Sequence, residues 1–205
     1  EGFEGAKYIC SPPPRTVKDQ EKIWLGIKTG VFQVFSSDHA PFRFDGDHGK
    51  QVEGSKTKFC NVPNGLPGIE TRMPLLMSNG VLENKIDIQT FVSLTSTAPA
   101  KIYGLYPRKG TIGPGSDGDL VIWDTNNNFS LSNSMLHHNV DYTPYEGMKF
   151  KAWPKTVLSR GKLIIDNGVL TAKQDHGIFL KSDLPLPAKT FDKRSLLERI
   201  EKQVF

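Results

Sequence analysis

The sequence predicts an α/β unit that gives way near residue 105 to an antiparallel β-domain. Three observations carry that reading. Val31-Phe32-Gln33-Val34-Phe35 is rich in β-branched and aromatic residues, as a buried strand would be, and it stops abruptly at Ser36-Ser37-Asp38-His39-Ala40-Pro41. Upstream, Val17 to Thr29 puts Ile23, Trp24 and Ile27 on one helical face with Gly30 as the stop, between that run and a strand end at Tyr8-Ile9-Cys10. Beyond Gly110, Asp119 to Asp124, Thr156 to Ser159 and Lys162 to Val169 hold apolar runs, with the hairpin-turn residues Arg160-Gly161 and Asp166-Asn167-Gly168 between strands.

The remaining elements follow in order. Ser11 opens a loop stiffened by Pro12, Pro13 and Pro14, since consecutive prolines fit neither helix nor sheet interior. Arg43 to Pro63 is charged and aperiodic, the texture of a long loop over an active site. Asn64-Gly65-Leu66-Pro67-Gly68-Ile69-Glu70 demands particular backbone shapes. Helices are expected over Arg72 to Ser78, over Ile88 to Leu94 with Asp87 as N-cap, and from Thr97 to Tyr103 with Pro99 near its start. In the tail from Leu184, Leu196, Leu197, Ile200 and Val204 recur at helical spacing between Asp192 and Val204, a face suited to docking on another subunit or on the chain's own body.

Composition bounds the function. The 205 residues, 37% of them hydrophobic and 23% charged, describe a globular domain or parts of two. No apolar run approaches the roughly 18 residues of a membrane span, and no secretory signal opens the chain. Cys10 and Cys60 are too few for a disulfide framework and are expected to be buried, reduced thiols of a cytoplasmic protein. The net charge of +4 is scattered among acids, which argues against a nucleic-acid partner. The start at Glu1-Gly2-Phe3, without Met, reads as part of a longer polypeptide.

Asp38 is the first candidate for chemistry, because polar residues clustered at the C-terminal end of a buried strand are where barrel enzymes work. The competing assignment makes it a cap for the turn at Pro41. His39 adjoins it on the strand and so faces the other way. His48, His137, His138 and His176 are expected to be solvated rather than metal-bound.

Several motifs in order resemble the dihydropyrimidinases, cyclic-amide hydrolases of the amidohydrolase superfamily: Cys10-Ser11-Pro12-Pro13, Ser37 to Phe42, Asn64 to Glu70, Leu94 to Lys101, Gly115 to Asp124 and Val140 to Gly147. The resemblance implies the C-terminal part of a (β/α)8 TIM barrel over residues 1–105. β-Sandwich strands would follow over 106–180 and a helical tail, an oligomer contact, over 181–205. It also implies a homotetramer and two zinc ions at the barrel mouth. Asp38 would bind one zinc and act as the catalytic acid that shuttles a proton to the leaving amide nitrogen. Ser11 and Asn64 would bind substrate through their backbone groups. The remaining metal ligands, a His-x-His pair, a carboxylated lysine and two further histidines, are absent here and expected upstream, so these residues alone should be inactive.

The activity so implied is opening of 5,6-dihydrouracil or 5,6-dihydrothymine to an N-carbamoyl β-amino acid, in pyrimidine breakdown. Hydantoinase is the near alternative, sharing these motifs. A non-catalytic scaffold, like the collapsin response mediator proteins, is the other; Asp38 and Asn64-Gly65-Leu66-Pro67-Gly68 argue against it.

Overall fold

Thr16 and Asp19 start the first helix by capping each other: the Asp19 carboxylate accepts from the Thr16 N–H at 3.0 Å, and the Thr16 hydroxyl accepts from the Asp19 N–H. Helix α1, Val17–Thr29, then runs to Gly30, whose left-handed backbone closes it. The computed structural model describes residues 3–172 and 176–187. The expected amphipathic stretch from Asp192 to Val204 lies outside them. No helix among the described residues is long and apolar enough to cross a membrane.

After α1 come a short exposed strand β1, Val52–Ser55, and two helical rods. The first joins α2, Arg72–Leu76, to a π-helical turn at Met77–Val81. The second runs from α3, Ile88–Val92, through a π-helical turn at Ser93–Thr97 into α4, Ala98–Ile102. Asp87 caps α3 as expected, accepting from the Thr90 N–H at 2.7 Å. Thr97 starts no separate helix, because its backbone is already helical and its hydroxyl donates to Gly110 O at 2.7 Å. Pro99 can donate no hydrogen bond to the preceding turn, which takes the wider π register over Ser93–Thr97 before α4 resumes the α register.

The second half is antiparallel. Strands β2, Leu120–Asp124, β3, Phe129–Ser130, β4, Lys149–Phe150, β5, Trp153–Ser159, β6, Lys162–Asp166, and β7, Val169–Leu170, form a four-stranded sheet of order β2-β5-β6-β7 and a β3-β4 pair. Both expected hairpin turns are present. Arg160 and Gly161 have φ of 49° and 73°, and Asn167 and Gly168 have 48° and 80°, the positive pairs that match the twist of the flanking strands.

Two expected strands do not form. Phe3–Tyr8 is a 3-10 helix, and Ile9 and Cys10 lie outside regular structure. Val31–Phe35 has no ladder either: the Phe35 N–H donates to Leu94 O at 3.1 Å, on the helical rod rather than on a neighbouring strand. β-Composition favours a strand only where another strand offers its edge, and among the described residues none does.

The helical and sheet halves share apolar packing. Ile27, Leu76, Met77, Ile86, Phe91 and Leu94 are buried together with Ala152, and Trp24, Phe35 and Trp123 pack against them. Phe91 meets Trp123 edge-on at 5.7 Å. Ser78 pins this junction, its buried hydroxyl oxygen accepting from the Lys151 and Ala152 N–H groups, each at 3.1 Å. Ser78→Ala would strand both amides and should cost about 1–3 kcal/mol of stability in urea unfolding. An unchanged unfolding midpoint would show that water replaces the hydroxyl.

Candidate functional site

Residues near 9, 40 and 65 are brought together by main-chain hydrogen bonds. The Gly65 N–H donates to Ile9 O at 3.1 Å, and the Ala40 N–H donates to Leu66 O at 3.1 Å. Gly65 is required at this crossing. Its φ is +156°, and a Cβ there would sit 2.3 Å from Ala40 O.

The three sequence-predicted residues lie on these linked segments. Ser11 follows Ile9 by two positions, Asp38 precedes Ala40 by two, and Asn64 precedes Gly65. All three are exposed, and their side chains make no hydrogen bond to one another. Asp38 adopts φ of 46°, a left-handed conformation that Asp tolerates better than most residues. Its carboxylate has no hydrogen-bond or ion-pair partner among the described residues. It does not serve as a cap for the turn that follows.

His39 has a different task. Its Nδ1 accepts from the Gly68 N–H at 3.0 Å and from the Ile69 N–H at 3.3 Å, so the proton of the neutral ring sits on Nε2. It thereby holds the Asn64 to Glu70 loop against the Asp38 segment. Arg72 adds a second tie, donating from Nη1 to Phe35 O at 2.5 Å.

Beneath this face lies a second apolar cluster of Ala6, Phe44, Val62 and Tyr142, with Phe3 and Ile9 against it. Asp141 anchors it, its carboxylate accepting from the Phe44 N–H at 2.7 Å and the Asp45 N–H at 3.0 Å, with Arg43 at 3.7 Å. Partial burial pushes the Asp141 carboxyl up, but the two N–H donors and Arg43 outweigh it and hold it below the usual aspartate value.

Lys50 is the residue that the sequence did not single out. It is 0% exposed, in the charged stretch expected to be a long loop over an active site. Its ammonium donates to Ile9 O at 3.1 Å and to Pro63 O at 2.8 Å. Burial pulls it below the ordinary lysine value. A lone lysine among charged loop residues carries no sequence signal of burial, because the two carbonyls that capture it are 41 and 13 residues away.

Other expectations are corrected. Cys60 is exposed and Cys10 partly so, since neither falls inside the two apolar clusters. His48 is exposed, and so is His137, although Glu70 accepts from its N–H at 2.8 Å and contacts its ring. His138 and His176 are half-buried rather than solvated, His138 against Asn133 and His176 against Ser159 O and Arg160.

Asp38 offers a hard, unpaired oxygen ligand, but among the described residues no three His, Cys, Asp or Glu side chains converge on a possible metal site. The described residues by themselves do not complete a metal centre.

The sequence pattern of the amidohydrolase family matches residues 9–164. The chain belongs to the amidohydrolase family. It is 44% identical over 179 residues to a D-hydantoinase of Rhizobium radiobacter and 43% identical over 178 to a D-phenylhydantoinase of Escherichia coli, covering 87% of this chain in each case. It spans 38% of the length of these curated relatives. Among solved structures, a D-hydantoinase superposes with a TM-score of 0.84 at 41% identity, over 89% of this chain and 39% of the other. The dihydropyrimidinase of Brevibacillus agri gives 0.77 at 44%, over 82% and 36%.

The Asp141 carboxyl yields a pH prediction. Its folded value lies below the unfolded one, so its contribution is complete above the ordinary value of 3.8 and is lost as pH falls through the lowered one. Asp141→Asn should therefore cost about 1–3 kcal/mol at pH 7 and lose less stability than the parent between pH 5 and pH 2, roughly the range over which a paired aspartate titrates. Parallel pH profiles for the two proteins would refute this.

Proposed function

We propose that this chain forms part of a cyclic-amide hydrolase that opens 5,6-dihydrouracil and 5,6-dihydrothymine, with Asp38 as its proton carrier. The observation that carries the reading is the Asp38 carboxylate, exposed and unpaired at a left-handed turn, on a segment bonded to the loops of Ser11 and Asn64. A structural aspartate would be expected to spend its oxygens on neighbouring N–H groups, as Asp141 and Asp87 do.

In the proposed reaction, water oxygen adds to the ring carbonyl and the carbon–nitrogen bond breaks. Asp38 takes the proton that the water gives up and returns it to the departing nitrogen, leaving an N-carbamoyl β-amino acid. Backbone groups at Ser11 and Asn64 hold the planar imide edge, and Gly65, His39 and Arg72 keep those loops in place. Zinc held by Asp38 together with ligands outside this chain would supply a Lewis acid for the carbonyl and the water. Two ions need ligands beyond this chain's own, with Asp38 contributing one.

The family relation supports residues 1–105 as the C-terminal part of a TIM barrel. Val121, Ile122, Leu163, Val169 and Leu170 leave apolar surface exposed on the sheet, consistent with a β-sandwich completed elsewhere. A second reading, hydantoin as the preferred ring, draws on the names of the curated relatives, and the solved structures that match include a dihydropyrimidinase as well.

The test is ring opening of dihydrouracil and of hydantoin by the longest natural polypeptide carrying these residues, before and after chelation. Chelator-sensitive turnover is expected, and Asp38→Asn should lower it about 100- to 10,000-fold without unfolding the protein. Full activity in that variant would remove Asp38 from the chemistry, and no turnover of either ring in the parent would sink the hydrolase reading.

A further inference from the structure

We propose that Lys50 is a positioning residue, whose ammonium sets the spacing between the two backbone segments that receive the substrate. The inference rests on the substrate role proposed for Ser11 and Asn64 and deepens it. Lys50 Nζ reaches Ile9 O, two residues before Ser11, and Pro63 O, one residue before Asn64. Ile9 O also accepts from the Gly65 N–H, so one carbonyl oxygen joins all three segments.

The lysine is itself held at its root. Its N–H donates to Arg43 O at 2.8 Å and the Gln51 N–H donates to Phe44 O at 3.0 Å, while Asp141 grips Phe44 and Asp45 from the other side. The side chain is thus a fixed strut from the Asp141 cluster to the substrate-facing loops. Its chemistry suits that task, because an ammonium aims several donors in different directions at the end of a slender stem.

Cost points the same way. No carboxylate pairs with this buried ammonium among the described residues, and a buried charge without a counterion is expensive unless its hydrogen bonds are needed. An apolar side chain of similar length would fill the space but leave Pro63 O without a donor. The loop before Asn64 would then be free to drift from the Ser11 segment. Substrate affinity depends on both segments at once, whereas the proton carrier Asp38 sits on a third segment, tied through His39 and Ala40 to Leu66, Gly68 and Ile69 further along the loop and not to Lys50.

Lys50→Met and Lys50→Arg in the longest natural polypeptide test this, through kcat, KM, thermal stability and hydrogen exchange at the Gly65 amide. For Lys50→Met we expect KM to rise about tenfold or more with kcat within about threefold, the signature of lost binding geometry rather than lost chemistry. Gly65 exchange should quicken at least about tenfold. Lys50→Arg, which keeps charge and donors, should recover part of the KM. A folded Lys50→Met variant with parental KM and parental Gly65 exchange would overturn the proposal, and a lower melting temperature with unchanged KM would make the lysine merely structural. If Lys50→Met does not fold, Lys50→Gln, too short to reach both carbonyls, decides: a KM raised about threefold or more supports the strut, and an unchanged KM refutes it. If the parent opens neither ring, the hydrolase reading fails, while Gly65 exchange still reports whether the strut holds the loops.

Discussion

The carbonyl oxygen of Ile9 accepts two donors from parts of the chain that sequence keeps far apart, the Gly65 N–H and the Lys50 ammonium. Neither segment has a sheet or helix of its own to hold it there. Loops that lack regular structure ordinarily wander, and these are fixed because their backbone groups are spent on one another. The glycine is indispensable to the knot, since its missing Cβ is what lets the Ala40 backbone pass.

Two apolar clusters support that knot from below. One buries the faces of α1 and the helical rods against Ala152 and Trp123; the other packs Phe44 and Tyr142 under the loops. Each is bolted by a polar group spanning long sequence separations: Ser78 to Lys151 and Ala152, Asp141 to Phe44 and Asp45. Apolar burial supplies most of the driving force but is non-directional. The directional bonds decide which loop lies beside which, and therefore where Asp38 ends up.

Asp38 differs in kind from these structural acids. Its two oxygens remain uncommitted, whereas His39, Arg72 and Asp141 each hold backbone groups of the surrounding segments. That contrast supports the proposed proton carrier at Asp38 and not at His39, whose acceptor nitrogen is already occupied by two loop amides.

What the sequence determined by itself was local. Gly30 as the stop of α1, Asp87 as a cap and the two hairpin turns act over three or four residues, so they are legible without knowing the rest. The motifs around Ser11, Asp38 and Asn64 were legible as short runs that resemble the family. Tertiary structure alone decided that Val31–Phe35 forms no ladder, that two expected helices join into one rod, and that Lys50 is buried. A strand needs a neighbouring edge, and a buried ammonium needs carbonyls to receive it. In this protein those partners come from distant points in the chain, where no periodicity or spacing can announce them.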